Sequence, residues 1–390
     1  MNIAERLKKL PPYLFAEIDR KKSELGRKGV NIISFGVGDP DLPTPAHIIK
    51  AGQVALANPK FHQYPFGAGL KEFRKAISSW YEKRFGVHLN PDTEILPLLG
   101  SKEGIAHLPL AFVNDGDVVF VPEPGYPVYR ASAIFAGGCP HPVPLLEKNK
   151  FLPDIDSLMK TPKAVLSKAK LMFINYPNNP TSAVAPRSFF TEIIKWAKRN
   201  GIIIAHDASY SEIYFDEKDR PFSFLSVPGA KEVGIEFHSL SKTYNMTGWR
   251  IGWVCGNFRI INGLGAVKDN FDSGVFSAVQ QAGIAALSGP QECVEEMRMI
   301  YRERRDVLVA GLAGLGWKPI NPRATFYVWC KVPKNYTSVQ TTEKMLTQGG
   351  IVVTPGSGMG RAGEGYIRFA LTVGTQRIKE ALRRLSKIKW

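Results

Sequence analysis

Lys242 stands in the run Ser239-Leu-Ser241-Lys242-Thr-Tyr-Asn-Met-Thr-Gly-Trp-Arg250, a single lysine among hydroxyls with an arginine close behind. A lysine amine condenses with a carbonyl to form a Schiff base. The hydroxyls of Ser239 and Ser241 and the guanidinium of Arg250 are donors suited to a phosphate. Together they would hold a phosphorylated aldehyde; the plainer alternative is a solvated lysine on a turn. A second group lies in Ile202-Ile-Ile-Ala-His-Asp207-Ala-Ser-Tyr210, where an apolar run delivers a carboxylate to its carboxyl end. In an open α/β sheet ligands bind at that end, so Asp207 is placed to pair with a cationic ring nitrogen, and Tyr210 to donate to a ring oxygen. Helix capping is the other use of an aspartate there, and packing under the sheet edge the other use of the tyrosine.

Three further segments follow the same pattern of an apolar run that ends in polar or aromatic residues, and a fourth carries its polar residue within the run. Leu171 to Asn175 leads into Tyr-Pro-Asn-Asn179-Pro-Thr181, where Asn179 can bond a phenolic oxygen and a carboxylate together, although such Asx-Pro runs are commonly turns. Gly100-Ser101-Lys102-Glu-Gly104 opens a helix after the strand predicted over 94–99, which sets Ser101 and backbone N–H groups at a helix N-terminus, an anion site or a plain serine cap. Pro124-Gly-Tyr126-Pro-Val-Tyr129 follows the strand predicted over 118–121, and Tyr126 there can stack on a flat ring or pack in a core. In Tyr366-Ile-Arg368-Phe-Ala-Leu an arginine sits inside an apolar strand and must be paired, with a substrate carboxylate or with an internal acid.

These segments resemble the fold-type I, pyridoxal-phosphate-dependent aminotransferases of classes I and II over nearly the whole chain. Within that group the stretches from Arg6 to Asp19, Gly36 to Pro45, Gly100 to Leu110 and Glu236 to Arg250 are similar to bacterial LL-diaminopimelate aminotransferases. The resemblance implies pyridoxal 5'-phosphate as cofactor and a ping-pong transamination between LL-diaminopimelate or tetrahydrodipicolinate and glutamate or 2-oxoglutarate. It makes Lys242 the Schiff-base lysine and proton shuttle, with Asp207 on the ring nitrogen, Tyr210 and Asn179 on the ring oxygen and Tyr126 on the ring face. Ser101, Lys102, Ser239, Ser241 and Arg250 would hold the phosphate, and Arg368 the substrate α-carboxylate. Tyr13 and Gly38 join Tyr126, Asn179 and Arg368 at the substrate. Tyr64 matches a tyrosine that reaches the neighbouring subunit's phosphate, which implies a homodimer with shared sites. The alternative within the same scaffold is an aminotransferase for aspartate, alanine, methionine or aromatic amino acids.

Two places depart from the family pattern. Ser182 stands where glycine is usual, so a positive φ there would cost about 1 kcal/mol and is expected to be absorbed by local adjustment. Phe66-Gly-Ala-Gly69 also differs from the commoner pattern before Leu70, next to the expected subunit boundary.

The elements that must position these residues read as an α/β chain. A first amphipathic helix is predicted over 12–28 and a strand over 32–35. Apolar strands then alternate with helices as far as about residue 285, which implies a mostly parallel sheet between helices, and the family resemblance implies seven strands in it. After Pro290 long helices, predicted over 292–312 and 375–387, flank short strands at 326–329 and 366–369, an α+β unit. The expected division is 1–44 as N-terminal arm and part of the small domain, 45–285 as the large cofactor-binding domain, and 286–390 as the small C-terminal domain.

Composition narrows the alternatives. The 390 residues carry a formal charge of +16, but the basic residues are scattered and the longest uninterrupted run is Arg20-Lys-Lys22, so a solvated basic surface that draws in acidic substrates is expected over nucleic-acid binding. Four cysteines without a C-x-x-C pair suggest neither a metal site nor a disulfide framework. The charged start and the lack of a long apolar run predict a cytoplasmic protein without a membrane span. Gly36-Val-Gly38 lacks the third glycine of a dinucleotide fingerprint, and Gly356-Ser-Gly-Met-Gly360 leads into no convincing helix with an acidic residue after the next strand, which argues against a dehydrogenase.

Overall fold

The computed structural model describes residues 2–11, 20, 23–24, 26–27, 29–65 and 67–390. The first predicted helix, Tyr13 and Phe66 therefore lie wholly or largely outside the described residues. Seven strands form the main sheet: β2 (Ile95–Leu98), β3 (Val118–Glu123), β4 (Cys139–Pro144), β5 (Ala169–Asn175), β6 (Ile203–Asp207), β7 (Gly234–Ser239) and β8 (Gly252–Gly256). Their order is β2-β8-β7-β6-β5-β3-β4, and β8 alone runs against its neighbours.

The apolar strands are covered on both faces, as parallel sheets require. Successive side chains alternate between the faces. Phe120, Met172, Ile174 and Ile204 enter one core with Trp196 and Phe190, while Val119, Val121, Leu171, Phe173 and Ala205 enter the other with Leu108 and Tyr129. The helix Arg187–Asn200 illustrates the packing rule: Phe189, Phe190, Ile193, Ile194, Trp196 and Ala197 share its buried face, and Gly201, at φ 65°, terminates it in a left-handed cap.

A second layer is antiparallel. Strands β9 (Lys318–Ile320), β10 (Tyr327–Lys331), β12 (Thr354–Pro355) and β13 (Tyr366–Ala370) pair in the order β12-β13-β10-β9, and β1 (Ile33–Ser34) pairs in parallel with β11 (Ile351–Val352). The helices Glu292–Gly314 and Thr375–Leu385 complete it, so close together that a Cβ on Gly311 would meet Leu382. Its core joins Ile33 and Phe35 to Tyr301, Phe326, Val328, Ile367 and Phe369, and also takes in Tyr210, Ile213 and Phe215 from the chain that follows β6. Among the described residues no helix is long and apolar enough to cross a membrane.

The sheet brings the chemistry to one edge. In register, Asn175 of β5 lies beside Asp207 of β6, and Ser239 of β7 pairs with Gly252 of β8, which also pairs with Leu98 of β2 just before Gly100-Ser101. On the opposite face of the same strands a buried carboxylate, Glu236, accepts from Tyr81 (2.9 Å), Ser223 (2.7 Å), the Phe224 N–H (2.7 Å), His206 (2.8 Å) and His238 (3.0 Å). Burial alone would push this carboxyl up, yet the two imidazoles hold it below the ordinary carboxylate range.

Candidate active site

A cavity of about 530 Å³ opens where the carboxyl ends of the parallel strands meet the antiparallel layer. It is lined by Lys242, Asp207, Tyr210, Ser101, Lys102, Tyr126, Asn179, Ser239, Ser241, Arg250, Gly38 and Arg368, together with Asp39, Tyr129, Asn175, Ser209, Thr247 and Tyr327. Tyr64 does not line it and is 72% exposed. A larger cavity of about 840 Å³ shares the walls Tyr126 and Tyr129 but contains neither Lys242 nor Asp207.

Lys242 lies on one helical turn, Leu240–Thr243, directly after β7. The hydroxyl of Ser239 caps that turn by accepting the Ser241 N–H at 3.2 Å, which fixes the direction of the lysine. Its Nζ donates to the Gly38 carbonyl at 2.9 Å. Burial, helped by the charges of Arg250 and Arg368 against the opposing pull of Asp39, brings the ammonium down to about 8. A lysine so placed is a neutral nucleophile for much of its population at mildly alkaline pH.

Asp207 is built into the end of β6. Tyr129 donates to Oδ2 at 2.7 Å and Ser209 to Oδ1 at 2.6 Å, while the Ser209 N–H also reaches Oδ1 at 3.1 Å. Thus the carboxylate both organises its own turn and faces the cavity. Burial pushes the Tyr129 hydroxyl far above its ordinary value, as does the neighbouring Asp207 charge, so it remains a donor. Ser101, which opens the helix Ser101–Phe112, extends the chain of bonds with its hydroxyl 3.1 Å from that of Ser209.

Two arginines mark opposite ends. Arg250, in a left-handed conformation at φ 53°, donates to the carbonyls of Thr247 (2.8 Å) and Leu99 (3.0 Å); these neutral acceptors orient the guanidinium without cancelling its charge. A Cβ on Gly100 would sit 2.5 Å from its Nη2, so only glycine fits. Ser101, Lys102, Ser239 and Ser241 lie around the same end. At the other, Arg368 is buried in β13 and donates to Asn179 Oδ1 at 2.8 Å and to the Gly36 carbonyl at 2.6 Å, with its guanidinium 4.2 Å from the Tyr327 ring centroid. Asn179 therefore reaches this arginine from the large sheet, a link across the cleft.

The arrangement offers an anion-binding end, a carboxylate for a cationic nitrogen, a nucleophilic amine between them and a second guanidinium opposite. The sequence model for Aminotransferase class I and II matches residues 30–385. The chain belongs to the class I and II aminotransferases. It is 56% identical over 387 residues to the LL-diaminopimelate aminotransferase of Syntrophobacter fumaroxidans and 55% identical over 386 to that of Aquifex aeolicus, each alignment covering 99% of both chains. Among solved structures, substrate-bound BacF from Bacillus subtilis superposes with a TM-score of 0.94 at 39% identity, covering 99% of this chain and 98% of that one. A single mutant of Thermus thermophilus aspartate aminotransferase gives 0.92 at 28% identity over all of both chains.

Several residues of the candidate site escape a reading of the sequence. Tyr129 and Ser209 touch Asp207, Asn175 donates to the Asp207 carbonyl at 2.8 Å while its Oδ1 accepts the Asn179 N–H at 2.8 Å, and Tyr327 bonds Tyr210 hydroxyl to hydroxyl at 2.9 Å. Only Tyr129 carried a signal, because it lies three residues after Tyr126 and so on the same side of the helical turn. Ser182 has the positive φ (61°) foreseen for a glycine position.

Proposed function

We propose that the chain is a pyridoxal 5'-phosphate-dependent aminotransferase that interconverts LL-diaminopimelate and its 2-oxo product, with glutamate and 2-oxoglutarate as the second pair. The observation that carries the reading is the single cavity in which a nucleophilic Lys242 lies between the Asp207 carboxylate, the Arg250 end and the Arg368 guanidinium. Identity of 52% to 56% with LL-diaminopimelate aminotransferases over nearly full length supports the choice of substrate.

The donor set fits the cofactor. Ser101, Lys102, Ser239, Ser241 and Arg250 would hold the phosphate, Asp207 the pyridine nitrogen, Tyr210 and Asn179 the ring oxygen, and Tyr126 the ring face. When bound, the cofactor supplies an aldehyde carbon for the amine and a ring that takes up negative charge. Asp207 would pair with the ring nitrogen and favour its protonated form, its carboxylate being oriented by Tyr129 and Ser209. Arg368 binds the α-carboxylate and thereby turns the substrate Cα–H toward Lys242. The Lys242 Nζ takes that proton and returns one on the far side of the transfer, a role suited to an amine whose proton leaves at about pH 8. The exposed Tyr64 would serve the site of a neighbouring copy in a homodimer.

Initial rates with 2-oxoglutarate across a panel of amino donors test the substrate. LL-diaminopimelate is expected to give the highest kcat/KM by at least about 100-fold, the discrimination that a site built for a second polar head can reach. A preference for aspartate or an aromatic donor would reject the assignment and leave the transaminase.

A further inference from the structure

Tyr327 is held by a closed ring of hydrogen bonds. Its N–H donates to Thr325 Oγ1 at 3.0 Å. Its carbonyl accepts from Ser182 Oγ at 2.6 Å, and Ser182 Oγ lies 2.8 Å from Thr325 Oγ1. Since the single proton of Ser182 goes to the carbonyl, Thr325 donates to Ser182, and the circuit runs from Tyr327 N–H to Thr325 to Ser182 and back to Tyr327 C=O. Ser182 and Thr325 are 2% and 0% exposed, so no water competes. Both have φ near +60° (61° and 62°), a conformation that L-residues rarely adopt and a β-branched one least of all. Such backbone persists only where its surroundings over-determine it. Ser182 comes from the loop after β5 and Thr325 from the entry to β10, so the ring ties the large sheet to the antiparallel layer at the cleft.

What the ring holds is a junction of the site. The Tyr327 hydroxyl meets that of Tyr210 at 2.9 Å, its ring lies under the Arg368 guanidinium, and its Oη would be 2.2 Å from a Cβ on Gly38, whose carbonyl accepts from Lys242. We propose that Ser182 and Thr325 are positioning residues: their hydroxyl ring sets Tyr327 so that it donates to Tyr210, leaving the Tyr210 proton for the cofactor's ring oxygen, and supports Arg368 in the orientation that grips the α-carboxylate. This rests on the transaminase reading above. Both tyrosine hydroxyls stay protonated, because burial pushes each up. The charged groups that surround the pair are Asp207, Asp39, Arg368 and Lys242.

A donor to the ring oxygen favours the form of the bound chromophore with more negative charge on that oxygen, which is the deprotonated one. The test is the pH midpoint of the visible absorbance of the holoenzyme, read beside KM, kcat and thermal midpoint. Tyr327→Phe should raise the absorbance midpoint by about half a unit, less than Tyr210→Phe does. Ser182→Gly, which removes the hydroxyl and relieves the positive φ, should move the midpoint in the same direction and raise the donor KM about five-fold, the scale of one lost hydrogen bond, while the thermal midpoint stays within about 3 °C. Thr325→Val should behave alike, and Thr325→Ser, which keeps the ring, should restore the parent values. If Ser182→Gly and Thr325→Val leave both the midpoint and KM at the parent values, the ring serves only the fold and the proposal fails. A parent protein that takes up no pyridoxal phosphate would instead overturn the transaminase reading on which it rests.

Discussion

Two buried carboxylates stand on adjacent strands of one sheet and face opposite ways. Glu236 on β7 points into the core, where five donors surround it and two of them, His206 and His238, can carry positive charge. Asp207 on β6 points into the cavity and accepts from Tyr129 and Ser209, donors that orient it without neutralising it. Burying an ion is costly unless it is paired. Glu236 has its counter-charge within the protein, whereas Asp207 accepts from neutral donors and, on the proposed function, would take its cation from the cofactor. On that reading the same residue chemistry is structural on one face and functional on the other, and the identity of the donors tells which.

The contrast is sharpest under isosteric substitution. Asp207→Asn should reduce kcat about 1,000-fold or more, through loss of the group that keeps the ring nitrogen protonated, while the thermal midpoint barely changes. Glu236→Gln should do the reverse: it leaves two histidines with a poorer acceptor and should cost about 3 kcal/mol in chemical denaturation, with kcat of the folded fraction within about three-fold. If Asp207→Asn unfolds the protein, or Glu236→Gln abolishes turnover without destabilising it, the division between the faces is wrong.

The two arginines extend the comparison with smaller effects. Arg368→Lys should raise the donor KM about 30-fold, since a lysine cannot replace a fork fixed on Asn179 and the Gly36 carbonyl. Arg250→Lys should weaken cofactor binding about ten-fold, measured by fluorescence titration, and leave kcat nearly unchanged at saturating cofactor. The smallest effect is one of pH. A folded Lys242 sheds its proton at about 8, below the 10.5 of an ordinary lysine, so between these values the unfolded chain binds more protons and folding stability of the cofactor-free chain rises with pH. Below 8 both states are protonated and this contribution is flat. The rate at which the cofactor-free chain captures pyridoxal phosphate should rise through about pH 8 for the same reason; a rate that is level from about pH 6.5 to 9.5 would contradict it.

The fold was legible because its strands are short, nearly continuous apolar runs with polar residues at one end, and because the change to long helices after Pro290 marks a different layer. The side chains expected in the cavity could be read for a related reason: Asp207 and Ser239 are the terminal residues of β6 and β7, which lie side by side in the parallel part of the sheet, and Asn179 follows closely on the end of β5. What could not be read depends on residues far apart in sequence. Tyr327 meets Tyr210 across 117 positions and Ser182 meets Thr325 across 143, contacts that no local pattern encodes. Ser182 shows the limit well. The glycine that usually stands there raised a positive φ as a condition, which the backbone meets, but the use of its hydroxyl is visible only once β10 is packed against the loop after β5.

The most direct test of the central claim is the visible absorbance of the purified protein loaded with pyridoxal phosphate, recorded after LL-diaminopimelate is added and again after 2-oxoglutarate. The account predicts that the chromophore is lost on the first addition and returns on the second, and that a Lys242→Ala variant does neither. A loaded protein whose spectrum ignores LL-diaminopimelate but answers to another amino acid would contradict the substrate, and one in which Lys242→Ala cycles like the parent would contradict the mechanism.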